Sequence, residues 1–258
     1  MKLIDTHAHL YLGEFDNDRE AMMQRAMDAG VQCMLLPNID TSSIAPMLEM
    51  CSRWPGHCYP MMGLHPTYVG DDYSLQLEHI GNELFGGGYV AVGEIGIDLY
   101  WDKTYFSQQE DAFIQQLGWA AQLGLPVAIH TREAFHVILD MVEKAQDGRL
   151  SGVFHCFTGS VEEAKRIMDL GFYFGIGGVL TYKKSDLPKV VQQISPDRIV
   201  LETDSPYLPP VPHRGKRNES AFLTETAHKL AEVYETTVEE IASSTTNNAI
   251  RLFKIEVQ

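Results

Sequence analysis

No stretch of the 258-residue chain approaches the roughly 20 consecutive apolar residues needed to cross a bilayer, and the opening MKLIDTHAHL turns polar too soon for a secretory h-region. We therefore expect neither a membrane-spanning nor an exported protein. Cysteine is sparse: Cys33, Cys51, Cys58 and Cys156 form no Cys-x-x-Cys pair, so no thiolate zinc site is expected. The apolar settings of Cys33 and Cys156 suit reduced, strand-borne thiols and a cytoplasmic location. Positive charge is also short, with 20 Lys and Arg against 35 Asp and Glu and a net charge of −15. That excludes a protein that coats nucleic acid or anionic membrane by bulk electrostatics, but not an enzyme with a local cationic site. Several signatures are missing. No Gly-rich dinucleotide fingerprint follows the first apolar run, and no Gly-x-Ser-x-Gly elbow is present. Gly86-Gly87-Gly88 lacks the Lys-Ser/Thr pair and helix start of a phosphate loop.

What the chain does have is a globular composition, 45% apolar and 21% charged. A chain of this mass should expose about 11,000 Å² when folded, against about 42,000 Å² when extended, enough burial for one substantial core. Short apolar runs at 3–5, 31–36, 59–63, 90–93, 126–130, 152–154, 172–175 and 199–201 alternate with segments of helical spacing. The helical segments include 18–29, 108–123, 134–145 and 162–170, several ending in a C′ glycine: Gly30, Gly124 and Gly171. Most runs are too apolar to have one wet face, so both faces should be covered, as in a parallel sheet. Eight such units predict an α/β fold, a (β/α)8 TIM-type barrel formed by residues 1–258 as one domain, with 219–234 and 238–253 as closing helices. The one long irregular stretch, 205–218, is rich in proline and carries His213, Arg214, Lys216 and Arg217.

The chemistry-bearing residues fall at strand ends. His7 and His9 are two apart on the first strand, so both imidazoles face one side and can chelate. Glu94 follows VAVG, His130 ends PVAIH, His155 ends GVFH and Asp204 lies just past IVLE. Those are the C-terminal ends at which barrel active sites are assembled. Imidazoles and carboxylates inside apolar runs are costly to bury unless paired or bound to metal, so several converging on one rim call for a shared cation. Three or four His with two or three carboxylates suit two divalent ions, with Mg²⁺ the first choice and Mn²⁺ or Zn²⁺ the alternatives. Glu94 would bridge them, with His7, His9 and Asp204 on one ion and His130 and His155 on the other. Asp204, bound through one oxygen, keeps the other to accept a water proton as general base, and Glu94 is the second catalytic carboxylate.

The motifs THAHL, GLHP, VGEIGID, IHTRE, HCFTGS, ETDSPYL and HRGKRNE, in this order across the chain, resemble the TatD family of metal-dependent deoxyribonucleases within the amidohydrolase barrel superfamily. The resemblance implies a TIM-type barrel, two metal ions, and hydrolysis of DNA phosphodiesters, often from the 3′ end. Carried over residue by residue, it marks His7, His9, Glu94, His130, His155 and Asp204 as metal ligands. Glu94 stands where amidohydrolases with a carbamylated bridge have Lys. Other residues remain open between two roles. Glu202 either holds a secondary ion or pairs in the core. His65 either donates to a phosphate oxygen or caps a turn. Arg132 either grips a phosphate or pairs with a rim acid such as Glu133. Tyr100, Trp101 and Tyr207 either stack nucleobases or pack the rim. Arg214, Lys216 and Arg217 are expected at phosphates, the alternative being a solvated turn. The expected substrate is DNA, as a single strand or 3′ end, with no membrane and no obligate protein partner. A small-molecule amide, lactone or phosphate-ester hydrolase on the same barrel is the competing reading.

Overall fold

The apolar runs become strands because each is buried on both faces and paired along its edges. In the computed structural model, which describes residues 1–256, these strands are β1 (Leu3–Asp5), β2 (Val31–Pro37), β3 (Cys58–Met62), β4 (Ala91–Asp98), β5 (Val127–Arg132), β6 (Gly152–Phe154), β7 (Tyr173–Ile176) and β8 (Ile199–Leu201). The last two residues of the expected 1–258 unit lie outside the described residues. Among those described, the eight strands are parallel and neighbour one another in sequence order. The seam between β8 and β1 is closed just past the strands, where Thr6 N donates to Leu201 O (3.0 Å), Asp204 N to His7 O (2.9 Å) and His9 N to Ser205 O (2.7 Å). The fold is therefore the predicted (β/α)8 barrel, and its exposed surface is 11053 Å².

Helices α1 (Arg19–Asp28), α2 (Ile44–Arg53), α3 (Tyr73–Gly86), α4 (Phe106–Leu123), α5 (Phe135–Ala145), α6 (Val161–Asp169) and the short α7 (Leu187–Val191) return the chain between strands. α8 (Leu223–Tyr234) and α9 (Val238–Phe253) follow β8. Capping boxes start α6 (Ser160, Glu163) and α9 (Thr237, Glu240), each satisfying two otherwise orphan backbone donors. The helix expected over 219–234 begins instead with a 3-10 turn at Ser220–Phe222, because Glu219 is held outside it by Arg25 at 2.7 Å. No helix among the described residues is long and apolar enough to cross a membrane.

Inside the barrel, Ile4, Cys33, Leu35, Met61, Ala91, Ala128, Val153, Tyr173 and Val200 form one apolar layer. Ala249, Leu252 and Phe253 of α9 pack against it with Ile255, which plugs the N-terminal end and leaves the C-terminal rim for chemistry. β4 runs to Asp98, well past the predicted end at residue 93. Glu94 and Asp98 interrupt its apolar pattern, but both carboxylates find imidazole partners, so the strand continues through them. Gly96 makes that passage possible. Its φ is +151°, and a Cβ there would lie 2.0 Å from His130 O.

Candidate metal centre

Glu94 is the hub of the rim. Its Oε2 lies 3.0 Å from His7 Nε2 and 3.6 Å from His9 Nε2, while Oε1 lies 2.8 Å from His155 Nε2, 3.0 Å from His130 Nδ1 and 3.3 Å from His65 Nε2. Asp204, turned by a backbone φ of +56° just past β8, places Oδ1 3.6 Å from His9 Nε2 and 4.0 Å from His7 Nε2. The Glu94 side chain is 2% exposed and that of Asp204 16%, so Glu94 is the floor and Asp204 the carboxylate nearer the cleft. All six predicted ligand positions thus meet at one point.

Hydrogen bonds on the outer sides of the rings decide what faces inward. Tyr11 donates its hydroxyl to Pro37 O (2.6 Å), so it can only accept from His9 Nδ1 (3.2 Å). His9 Nε2 is left with a lone pair towards Glu94 and Asp204. His130 Nε2 donates to Asp98 Oδ2 (2.9 Å), leaving the Nδ1 lone pair on Glu94. His155 Nε2 lies 2.8 Å from Glu94 Oε1, while its Nδ1, 3.4 Å from Glu202 Oε1, has no hydrogen-bond partner. Lone pairs aimed at a carboxylate are acceptor against acceptor, an arrangement that needs a proton or a cation between them. Without metal, protons serve: burial opposes charging of His155 and His130, yet Glu94 with Glu202, and Asp98 with Glu94, outweigh it and raise both pKa values. Burial likewise pushes Glu94 up, but His65, His155 and His7 hold it well below the usual carboxylate range. The donor set, imidazoles and carboxylates with no thiolate, fits divalent ions of borderline character.

His65 belongs to this cluster by distance, and with Glu94 and His130 it could make a donor group. Its protonation sets it apart. Nδ1 accepts from Thr67 N (3.1 Å), so the ring proton sits on Nε2 and points at Glu94. His65 offers the site an N–H, not a lone pair.

Sequence reasoning missed the residues behind the rings. Asp98 holds His130, and its place four residues after Glu94, hence on the same face of β4, is the signal that could have found it. Tyr11 sets the His9 tautomer. Asp5 lies buried beneath His7, accepting from Thr203 N, Thr203 Oγ1 and Ser220 Oγ at 2.9, 2.6 and 2.7 Å. Glu202 Oε1 accepts from Cys156 N at 2.5 Å and faces His155, while its buried Oε2 has no hydrogen-bond partner; Glu202 stands in none of the donor groups among the described residues. Gly175 leaves room for it, since a Cβ there would lie 2.1 Å from Glu202 Oε2.

A cleft of about 800 Å³ opens above the cluster, lined in part by His65, Tyr68, Trp101, Arg132 and Tyr207. The Arg132 guanidinium lies 3.7 Å over the Tyr100 ring, so it is held by an aromatic face rather than by Glu133. Three residues expected at phosphates, Arg214, Lys216 and Arg217, do not line this cleft. Arg217 is taken up by Asp18 (2.7 and 2.9 Å), Glu14 O (2.8 Å) and Glu219 (3.4 Å). Arg214 lies 3.8 Å over Tyr182, and Lys216 is exposed.

Imidazoles and carboxylates converging at the C-terminal end of a (β/α)8 barrel define the class, a metal-dependent hydrolase. The chain belongs to the TatD-related DNase family, whose profile matches residues 4–254. It is 38% identical to an uncharacterized metal-dependent hydrolase, YabD, of Bacillus subtilis, over 98% of this chain and 99% of that one. It is 32% identical to the 3′-5′ ssDNA/RNA exonuclease TatD of Edwardsiella piscicida, over 98% of this chain and all of that one. The crystal structure of the TatD homologue YjjV of Escherichia coli superposes with a TM-score of 0.92 at 31% identity, covering 98% of each chain.

Proposed function

We propose that this metal-dependent hydrolase cleaves phosphodiester bonds of single-stranded DNA, working from the 3′ end, with two divalent ions that share Glu94. The observation that carries the reading is the split of the Glu94 carboxylate, one oxygen among His7 and His9 and the other among His130 and His155, at the floor of an open cleft. His7, His9 and Asp204 would hold one ion and His130 and His155 the other. Ions held by these residues would acidify a water and polarise phosphoryl oxygens. The protein's own groups do the rest. Asp204 accepts the water proton, its exposure exceeding that of Glu94. His65 directs its N–H to a phosphoryl oxygen in place of Glu94. Arg132, stacked on Tyr100 and lining the cleft, takes a flanking phosphate. The small basic count is no obstacle, because a short single strand needs only local contacts. The imidazole-rich donors suit Mn²⁺ or Zn²⁺ at least as well as Mg²⁺.

The test is digestion of end-labelled single- and double-stranded DNA and RNA by chelated protein, with each ion restored in turn. The reading expects metal-dependent shortening of single-stranded DNA from its 3′ end. Hydrolysis of small lactones, amides or phosphate esters with all oligonucleotides left intact would replace it with the small-molecule reading.

A further inference from the structure

Beside the cleft, between the segment after β3 and the segment after β4, a second cavity of about 250 Å³ opens. The two cavities share Thr67, Tyr68, Asp98 and Trp101. Exposed Asp102, half-buried Tyr105 and buried Gln109 also line the smaller one. Three features say what fits there. Trp101 is 69% exposed and Tyr68 46%, and both line this cavity, so two large rings stand open to a ligand there. Among the described residues no Lys or Arg lines the cavity, whereas Asp102 does, held ionised by hydrogen bonds from Thr104; a phosphate is therefore disfavoured and a group with N–H donors favoured. The wall is also built in advance. Asp98 Oδ1 accepts from Tyr100 N (2.9 Å) and Trp101 N (3.2 Å), and Gln109 bonds the Asp98 backbone. The Tyr100 and Trp101 rings meet edge to face at 4.9 Å, with Arg132 over Tyr100. Because Asp98 Oδ2 fixes His130, one carboxylate indexes both the metal centre and this wall.

We propose that the side cavity is a nucleobase subsite, taking one base next to the phosphate being cut, stacked on Trp101 against Tyr68 and with its amino group directed to Asp102. The inference rests on the nuclease reading and adds a specificity to it: amino-bearing cytosine is preferred to thymine at that one position. Stacking is sequence-tolerant, so Asp102 and not Trp101 supplies the preference.

The test has two arms. In the first, kcat/KM is measured for single strands that differ only by an abasic site at each position flanking the cut. Wild type should lose roughly 5- to 100-fold at one position. Trp101→Ala should lose a similar factor on the intact strand and little more on the abasic one, with Trp101→Phe recovering part. Asp102→Asn should remove the cytosine preference. In the second arm, deoxycytidine is titrated into metal-free protein, where saturable fluorescence quenching in wild type and none in Trp101→Phe is expected. Equal cleavage of intact and abasic strands, or equal losses on both in Trp101→Ala, overturns the subsite and leaves the nuclease reading standing. Absence of saturable quenching also overturns it. No oligonucleotide cleavage under any metal overturns both.

Discussion

Glutamine at position 94 keeps the shape of the side chain and removes the charge that five imidazoles face. Glu94→Gln and Asp204→Asn should each lower kcat on DNA by roughly three orders of magnitude, equivalent to about 4 kcal/mol, while unfolding curves stay cooperative. Wild-type rates in either variant at saturating metal would remove that residue from the centre. His65 and His130 separate by the nitrogen they present. His130→Ala should lose metal affinity in calorimetric titration; His65→Ala should keep the metal stoichiometry and lose kcat, and loss of an ion there would mean the ring proton had been misplaced. Asp5 gives a pH signature. Burial, against four hydrogen bonds, pushes its pKa up to about 6 from 3.8. The unfolded chain therefore releases this proton while the native state still holds it. Stability from Asp5 is complete below the unfolded value and is lost as pH rises through the folded one, a change of roughly 3 kcal/mol. In chelated protein, urea unfolding of wild type relative to Asp5→Asn should weaken by that amount between about pH 4 and about pH 7. A pH-independent difference would count against it.

The element that behaves least as its sequence suggests is the segment 205–218. Arg217 looks like a phosphate ligand in HRGKR, yet Asp18 and Glu219 bind it, with the Phe15 ring 4.4 Å beneath. Arg25 spans the same two acids. The loop after β8 is thereby tied to the start of α1 at the β1–β8 seam, where the barrel is closed by few backbone bonds. Arg217→Ala should cost roughly 1–2 kcal/mol of stability and leave KM for an oligonucleotide within about twofold. A KM increase without loss of stability would return Arg217 to the substrate. The case marks the boundary of what sequence discloses. Parallel strands buried on both faces write themselves as apolar runs, so β1, β6 and β8 are legible to the residue, and so is the convergence of the six side chains placed at strand ends. The partner of an arginine, or the tautomer of His65, depends on which loops the barrel brings together across nearly the whole chain. Asp98 was legible in principle, four residues from Glu94, but only once β4 is known to run on through its carboxylates.

At the scale of the molecule, a net charge of −15 surrounds a rim that gathers buried carboxylates around imidazoles. Without metal, protons shared between rings and carboxylates hold such a rim together, and the barrel fixes two of the rings from behind, His9 through Tyr11 and His130 through Asp98. The acidic surface repels a polyanion at long range, so under the proposed function capture would fall to short-range contacts in the cleft such as Arg132. The claim on which the account depends is that two ions share Glu94. Anomalous diffraction from crystals of the full chain soaked in Mn²⁺ tests it directly. The account predicts two peaks about 3.5–4 Å apart, one within ligand distance of Glu94 Oε2, His7 and His9 and the other of Glu94 Oε1, His130 and His155. A single peak, or peaks that do not touch Glu94, would contradict it.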